Sequence, residues 1–435
     1  MAGEDQVLQL RIGALTQRSP LFSFGRCQSI PLPSPVHSPL GERHHNFFPL
    51  ARSRRIRLCI QCWLQQAIVF SPAFKVAGDL VATPGGPMPE ILSLDELRKR
   101  FSNASGGEMF DPEFRKVADL VFGEGDRRQA PYCGVPTLLK APYRPDAAPS
   151  FADIDIALFG IPMDLGVTNR SGARFGPRAV RNVDRVGPYD HVLRTVPTAH
   201  ARVADVGDVP FKSRFDLAAS HDDIEEFVGG LIKAGVVPLA VGGDHSIGLP
   251  ILRAVGRDRP AGMIHIDAHC DTGGSFEGCK FHHGGPFRQA VLDGVLDPRR
   301  TIQIGIRGNS EYLWEFSYAS GMTVIHAEEV GDLGISAVIA KAREIAGAGP
   351  TYVSFDVDSL DPAFAPGTGT PEVGGLTSAQ ALGILRGLIG LNIVGGDVVE
   401  IAPQYDPTSN TAQIAAQVLF ELLCLAAEAI KVRAS

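Results

Sequence analysis

The sequence predicts an α/β fold in which a mostly parallel sheet is covered by helices on both faces. From residue 151 onward, strand-like segments alternate with helical patterns. The strand segments are almost continuously apolar, as strands buried on both faces are. Polar residues gather directly after several strands, where ligands bind in open α/β sheets. We therefore expect an α/β domain at 151–435, preceded by an N-terminal arm at 88–150 and an irregular extension at 1–87.

Composition narrows the class of protein further. With 435 residues, 44% hydrophobic and 20% charged, the chain is typical of a soluble globular enzyme. Its net charge of −7 argues against a general affinity for nucleic acid or an anionic membrane. Seven scattered cysteines do not resemble a secreted disulfide framework, so a cytoplasmic location is expected. We found no apolar run of the roughly 18 residues that a membrane span needs.

The extension at 1–87 differs in character from the rest. It is basic and rich in proline, without a sustained helical or strand period. Its single C-x-x-C pair, Cys59 and Cys62, is a weak signal for zinc or redox chemistry. A transit peptide is one interpretation, although acidic residues near the start count against it. Since Met88 is followed by a typical protein start, PEILSLDELRKRF, we favour disorder or a non-native extension.

The elements follow in order along the chain. The arm contains one helical patch at 92–101 and then a loop-rich run. The glycine-rich loop GVTNRSGARFGPRAVRNV leads from the first strand into a helix. Strands are predicted at IDIALFGIP, VVPLAVGG, AGMIHID, TIQIGIRG, MTVIHA, TYVSFDVD and NIVGGDVVEIAP. Helices are predicted at 223–234, 335–345, 378–389 and 412–430.

The stretch MIHIDAHCDT carries the strongest chemical signal. Asp267, His269 and Asp271 alternate, so they project from one face at the end of a strand. Carboxylates this close raise each other's pKa unless a cation lies between them. The alternative is a polar strand end in which one Asp caps the next helix. We predict a metal site.

Two further strand ends support that prediction. VSFDVDSLD places Asp356 and Asp358 on one face of a strand, and LAVGGDHS delivers Asp244 and His245 after a glycine turn. Three such clusters in one α/β chain are difficult to explain by coincidence, because ligands collect at the carboxyl ends of strands.

These motifs together resemble the ureohydrolase (arginase/agmatinase) family, and its agmatinase-like branch in particular. The resemblance covers about 150–430 and includes GGDHS, DAHCD, SFDVDSLDPAFAPGTGTPEVGG, VVEIAP, RSGARFGPRAVR and HGGPFRQA. It implies a three-layer α/β/α arginase-like fold and a homo-trimer or homo-hexamer. It also implies two divalent metal ions per subunit, usually Mn²⁺, although imidazole ligands also suit Ni²⁺.

The resemblance assigns ligands residue by residue. One ion would be held by His245, Asp267, Asp271 and Asp356. The other would be held by Asp267, His269, Asp356 and Asp358, so that Asp267 and Asp356 are shared. Two such ions activate a bridging water at neutral pH. The implied reaction is hydrolysis of a small guanidino compound to urea and an amine, or ammonia if guanidine itself is the substrate.

Three residues receive catalytic roles from the same resemblance. Glu400, in VVEIAP, matches the acid that pairs with the guanidinium group. His283 matches the loop histidine that passes a proton to the leaving amine. His282 competes for that role, but His283 is the one followed by glycine. Asp271 could also orient the attacking hydroxide.

The substrate is left open by the sequence. The loop GCKFHHG lacks the Ser and Asn of arginases and follows the agmatinase pattern, with Gly285 in place of the usual Thr. Lys280 in the pocket would oppose the ammonium group of agmatine and would suit 4-guanidinobutanoate or 3-guanidinopropanoate. The alternative is that Lys280 points into solvent. Thr168 and Asn169 offer a small polar lining that would also fit guanidine.

Two other classes of function remain as alternatives. A single-zinc, deacetylase-like amidohydrolase shares the α/β layout but lacks the VVEIAP acid. A non-catalytic or regulatory subunit of a hetero-oligomer would be compatible with the unusual N-terminus and the altered HGG loop.

Overall fold

The computed structural model describes residues 91–104, 108–122 and 130–434. Within them, eight strands form one sheet in the order β2-β1-β3-β8-β7-β4-β5-β6, and all paired strands are parallel. The strands are β1 (Ile156–Ile161), β2 (Val203–Asp208), β3 (Val237–Gly242), β4 (Ala261–Ile266), β5 (Leu296–Ile306), β6 (Thr323–His326), β7 (Thr351–Asp356) and β8 (Ile393–Val399). The predictions for 1–87 lie outside the described residues.

Helices connect the strands. They are α1 (Leu94–Phe101), α2 (Pro112–Phe122), α3 (Gly176–Arg181), α4 (Leu217–Lys233), α5 (Gly248–Val255), α6 (Pro286–Leu292), α7 (Glu315–Ser320), α8 (Ala327–Leu333), α9 (Ile335–Ala346), α10 (Ser378–Arg386) and α11 (Asn410–Ala434).

Alternate residues of each strand enter two different cores, one on each face of the sheet. In β1, Ile156 and Leu158 join the core packed against α9, α10 and α11, whereas Ala157 and Phe159 join the core packed against α4, α5 and α6. All six residues of β1 are buried. The predicted parallel sheet with helices on both faces is therefore confirmed.

The last helix, α11, is the most buried helix of the first core. By length and composition it could cross a membrane, but 72% of its most apolar 18-residue stretch is buried inside the protein. Leucine and alanine side chains occupy most of its circumference, and the rest of the protein covers them. The helix is therefore a buried core helix that is apolar on almost all sides.

Some element predictions were wrong in detail. Strand β2, from ARVADVGD, was missed because two aspartates and a glycine interrupt its apolar run. Helix α4 begins six residues earlier than predicted, where Asp216 caps it by accepting from the Ala219 amide. The predicted arm also contributes to the domain, since Leu138 is fully buried in the first core.

Candidate metal centre and active site

Four adjacent central strands, β3, β8, β7 and β4, bring the predicted site residues together. Their carboxyl ends meet at one edge of the sheet, as expected for an α/β site. Asp244 and His245 follow β3, and Glu400 follows β8. The end of β7 and the segment after it supply Asp356 and Asp358, and the segment after β4 supplies Asp267, His269 and Asp271.

His245 is the centre of the first half of this cluster. Its Nδ1 lies 2.8 Å from Asp271 Oδ2, 3.1 Å from Asp267 Oδ2 and 3.2 Å from Asp356 Oδ2. Nδ1 is nevertheless buried and has no hydrogen bond of acceptable geometry. A nitrogen lone pair and three carboxylate oxygens that converge in this way fit a divalent cation.

The second half of the cluster is built around His269. Its Nδ1 lies 3.1 Å from Asp358 Oδ2 and 3.6 Å from Asp267 Oδ1. Asp267 thus faces both histidines, one through each carboxylate oxygen, as a bridging ligand must. Asp356 contacts His245 with Oδ2, while its Oδ1 accepts from the Asp358 amide. The geometry therefore brings Asp356 directly to the first position only.

Two carboxylates of the cluster, Asp356 and Asp358, are electrostatically unfavourable as anions by themselves. Burial, together with the charges of Asp358 and Asp267, raises the pKa of Asp356 well above its usual value. A cation between these groups would remove that repulsion. Together with the unpartnered His245 Nδ1, this indicates that the residues fit a pair of metal ions.

His265 is close to the cluster but serves a different purpose. Its Nδ1 accepts from Gln303 Nε2 at 3.0 Å, so its Nε2 carries the proton and donates to Asp267 Oδ2 at 2.7 Å. Both ring nitrogens are engaged, and His265 orients the bridging carboxylate. The sequence analysis missed His265, although it continues the alternation of Asp267 and His269 by one step.

Two residues of the centre have strained backbones. Asp271 has a φ of +51° and Glu400 a φ of +62°. Both values lie in the left-handed region, which residues other than glycine rarely adopt. Both carboxylates are also buried.

Glu400 lies beneath the loop histidine. Its Oε1 accepts from the His245 amide at 2.8 Å and from His283 Nδ1 at 2.9 Å, whereas its Oε2 is buried without a partner. A buried acceptor without a donor is costly, so Oε2 is suited to receive a donor from a ligand.

His283 is held between Glu400 and Thr168. Burial would lower the pKa of His283, but the Glu400 carboxylate raises it to about 9. The charged ring donates to Thr168 Oγ1 at 2.7 Å. The Thr168 amide also lies 3.2 Å from His283 Nε2, but it could donate a hydrogen bond there only if Nε2 carried no proton. We therefore interpret this distance as a close contact. Thr168 thus positions His283.

Asp244 anchors the loop that carries Thr168. Its carboxylate accepts from the Gly166 amide at 2.8 Å and from the Ser246 amide at 2.9 Å. Burial, followed by the charge of Glu400, raises the pKa of Asp244 to about 6. The sequence placed Asp244 at a strand end without giving it this role.

A cavity of about 730 Å³ opens over the cluster. It is lined by His269, Asp271, Asp356, Asp358 and His283, and its outer wall includes Thr168, Asn169, Arg170, His282, Trp314 and Glu372. Asn169 Nδ2 donates to the Gly369 carbonyl at 3.1 Å. Glu372, which the sequence did not single out, approaches His269 Nε2 to 3.8 Å.

Lys280 does not reach this cavity. It is exposed, and its Nζ lies 5.5 Å from the centre of the Phe281 ring, outside the cavity lining. The loop turns at Phe276–Cys279, where two backbone hydrogen bonds close it, and this directs Lys280 outward. The prediction that Lys280 contacts the substrate tail is not supported.

Comparisons with known proteins cover the same region. A model of the arginase family matches residues 154–424. Guanidinopropionase from Pseudomonas aeruginosa is 51% identical over 302 residues, which are 68% of this chain and 93% of that protein. Mitochondrial agmatinase from Gallus gallus is 45% identical over 300 residues, 67% of this chain and 86% of that protein.

A solved structure agrees with these matches. That of proclavaminate amidino hydrolase from Streptomyces clavuligerus is 37% identical, with a TM-score of 0.66, and the match covers 69% of this chain and 100% of that one. The range matched by the family model contains every residue assigned to the candidate centre.

Proposed function

This chain belongs to the arginase family, and from that premise we propose that it hydrolyses a short ω-guanidino acid to urea and an ω-amino acid. Its activity is that of an agmatinase-like hydrolase, which breaks a C–N bond of a guanidino compound and releases urea. The resemblance inferred from its motifs is thereby confirmed. A single-zinc deacetylase does not fit a cluster in which Asp267 faces two histidines.

The histidine and aspartate cluster can hold metal ions, and we propose two per subunit. His245, Asp267, Asp271 and Asp356 would hold one ion, and His269, Asp267 and Asp358 the other, which Asp356 would join only if its Oδ1 turned away from the Asp358 amide. When bound, a pair of divalent ions lowers the pKa of a water molecule so that it can attack at neutral pH. The oxygen-rich ligand set favours Mn²⁺, and the two imidazoles leave Ni²⁺ as the second candidate.

The guanidinium group would be held by Glu400. Its unpartnered Oε2 is the observation that carries this assignment, since a guanidinium N–H would satisfy a buried acceptor that nothing else satisfies in the described chain. Binding there would bring the guanidinium carbon next to the carboxylate cluster. Asp271 lines the cavity on the same side and is suited to accept a hydrogen bond from the attacking water.

His283 would supply the proton that the leaving amine needs. The new C–O bond forms as the C–N bond to the chain nitrogen breaks, and that nitrogen leaves as an amine only after protonation. The His283 ring lies on the cavity wall and carries a proton that Glu400 stabilises. His282 is engaged differently, because its Nε2 contacts the Gly274 carbonyl at 2.7 Å.

The substrate tail would meet Arg170 at the outer wall. Its guanidinium stacks 4.7 Å from the centre of the Tyr405 ring, and its Nε donates to the Gly369 carbonyl. Among the described residues, Arg170 contacts Tyr405 and the Gly369 carbonyl, and it forms no ion pair with a carboxylate. A cation that lines a cavity without an anionic partner suits a carboxylate tail. Because Glu372 also lines the wall, agmatine with its ammonium tail is the second candidate.

Urea release from a substrate panel tests this proposal. The panel contains 3-guanidinopropanoate, 4-guanidinobutanoate, agmatine, arginine, guanidine and methylguanidine, each tested after loading with Mn²⁺ or Ni²⁺. We expect the highest kcat/KM with one of the two acids and Mn²⁺. A clear preference for agmatine would reject the carboxylate tail. No urea from any compound would favour a non-catalytic subunit.

Arg170→Met tests the tail contact directly. We expect KM for the preferred acid to rise about tenfold or more, because a desolvated charge pair is lost, while guanidine turnover changes little. Lys280→Met is the matched comparison, and it should leave KM for the acid unchanged because Lys280 points away from the cavity. The opposite pattern would restore Lys280 as the tail contact.

Assembly and location are also proposals. We propose a homo-trimer or homo-hexamer, supported by the exposed apolar residues Leu94, Leu97 and Phe101 on α1. Light scattering would give the stoichiometry, and a monomer would reject it. We propose a cytoplasmic location, in keeping with the unpaired cysteines Cys133, Cys270, Cys279 and Cys424. Cell fractionation would decide between the cytoplasm and an organelle.

A further inference from the structure

Three polar side chains behind His245 have no part in the reaction described above. His245 Nε2 lies 2.8 Å from Ser354 Oγ, and the Ser354 hydroxyl donates to Asp397 Oδ1 at 2.7 Å. On the far side, the Tyr352 hydroxyl donates to Asp397 Oδ2 at 2.6 Å. All four residues are fully buried, so water does not replace these contacts.

The direction of the hydrogen bonds fixes the state of the His245 ring. A serine hydroxyl has one proton, and Ser354 gives it to the Asp397 carboxylate. Its oxygen must then accept the second bond, so His245 Nε2 carries a proton. When the ring is neutral, as metal binding requires, the lone pair is therefore on Nδ1, the atom that faces the three carboxylate oxygens.

Asp397, the carboxylate at the end of this chain of hydrogen bonds, is stabilised in its charged form by two hydroxyl donors. Burial raises the pKa of Asp397. The charge that His245 can carry opposes that rise, and so do the hydroxyls of Tyr352 and Ser354, because they donate to the charged form. Asp397 therefore acts as the acceptor for both hydroxyls.

The sheet builds this arrangement by register. Tyr352, Ser354 and the ligand Asp356 alternate along β7, so they share one face. Ser354 lies opposite Asp397 of β8, and Tyr352 lies opposite Gly395. A Cβ at Gly395 would lie 3.1 Å from the Tyr352 ring, so the glycine provides room for the aromatic side chain.

We propose that Asp397, acting through Ser354, is a positioning residue that keeps His245 in the Nε2-protonated tautomer and so sets the metal affinity of the His245 position. Without the Ser354 hydroxyl, the ring can instead place its proton on Nδ1, facing Asp271, where the proton competes with the metal. The inference rests on the proposed two-metal function, but metal binding tests it without any turnover.

Ser354→Ala is the decisive variant. Metal-free protein is titrated with Mn²⁺ by calorimetry, and electron paramagnetic resonance distinguishes a coupled ion pair from a single ion. We expect the wild type to bind two ions. In the variant, one ion should bind as before and the other about 10- to 100-fold more weakly. Ser354→Thr keeps the hydroxyl and should recover most of the lost affinity.

Two further variants separate positioning from general damage. Thr301→Val removes a buried hydroxyl on strand β5, two strands away from β7, where it donates to the Asp297 carbonyl, and should leave both Mn²⁺ affinities unchanged. Tyr352→Phe removes only the outermost hydroxyl and should weaken the same single ion by a smaller factor. If Ser354→Ala does not fold, Tyr352→Phe decides.

Wild-type affinity for both ions in Ser354→Ala, or equal weakening of both, would overturn the inference while leaving the proposed function intact. A wild-type protein that binds no Mn²⁺ would overturn both. If Ser354→Ala does not fold, wild-type affinity for both ions in Tyr352→Phe would overturn the inference.

Discussion

Among single residues, Asp267 joins the two halves of the metal centre. Its Oδ2 faces His245 and its Oδ1 faces His269. We expect Asp267→Ala to abolish urea release and to lower the bound metal from two ions to at most one per chain. Elemental analysis of dialysed protein measures this. Asp361→Asn is the control, because Asp361 follows Asp358 but is not one of the proposed ligands, and this variant should keep both ions. Full metal content in Asp267→Ala would contradict the bridging assignment.

His283 gives the metal-free protein a pH dependence of stability. Because Glu400 raises its pKa to about 9, protonated His283 stabilises the fold below about pH 6.5, and this contribution is lost as the pH rises through about 9. Chemical denaturation of wild type and His283→Gln across pH 6–10 measures it. The stability advantage of the wild type should shrink over this window, and a constant difference would contradict the assignment.

The sequence identified the residues that project into the centre but not those that support them. Polar residues at alternate positions after an apolar strand were enough to identify Asp267, His269 and Asp271, although all three lie in the segment after β4 and not on the strand as predicted. The partners of His245 lie on other strands, and only the register of β7 and β8 brings Ser354 and Asp397 together. The position of Lys280 was left open by the sequence, because charge alone does not give the direction of a side chain in a loop.

At the level of elements, α3 is fastened to the edge strand β2 by one side chain. Arg181 donates from Nε and Nη2 to the two oxygens of Asp205, which is fully buried, and from Nη1 to Asp208. This contact explains why a strand containing aspartates is stable at the sheet edge. The sequence lacked any sign of it, because 24 residues separate Arg181 from Asp205.

Arg181→Met should therefore lower the free energy of unfolding by about 3–5 kcal/mol, since it leaves the Asp205 carboxylate buried without its cation. Chemical denaturation measures the change. Arg202→Met is the matched control: Arg202 also pairs with two aspartates but is 60% exposed, so its loss should lower the free energy of unfolding far less than the loss of Arg181. Equal effects of the two substitutions would show that burial does not decide the outcome.

At the scale of the whole molecule, every residue assigned to the centre belongs to the predicted α/β domain. All residues assigned to the centre lie between Thr168 and Glu400, and the family match begins at residue 154. We expect a protein that starts at Met88 to keep kcat/KM within about twofold of the full chain. Steady-state urea release on both proteins tests this. A large loss would give 1–87 a part in catalysis or assembly.

The general architecture was predictable because alternation and apolar strands report the layers directly. The edge strand and the shorter helices were not, because their apolar patterns are brief and tertiary contacts such as that of Arg181 stabilise them.

The left-handed backbone at Asp271 and Glu400 lowers the stability of the fold at two positions that the proposed hydrolysis requires. Each non-glycine residue in this conformation costs on the order of 1–3 kcal/mol, which the surrounding sheet must supply. Glycine at either position would relieve the strain and remove a buried acid, but it would also remove the chemistry. Selection of the metal-free protein for thermal stability alone should therefore enrich Asp271→Gly, whereas Glu400→Gly would also leave the His245 amide and His283 without their acceptor. Screens for a more stable enzyme must for this reason score urea release at every round.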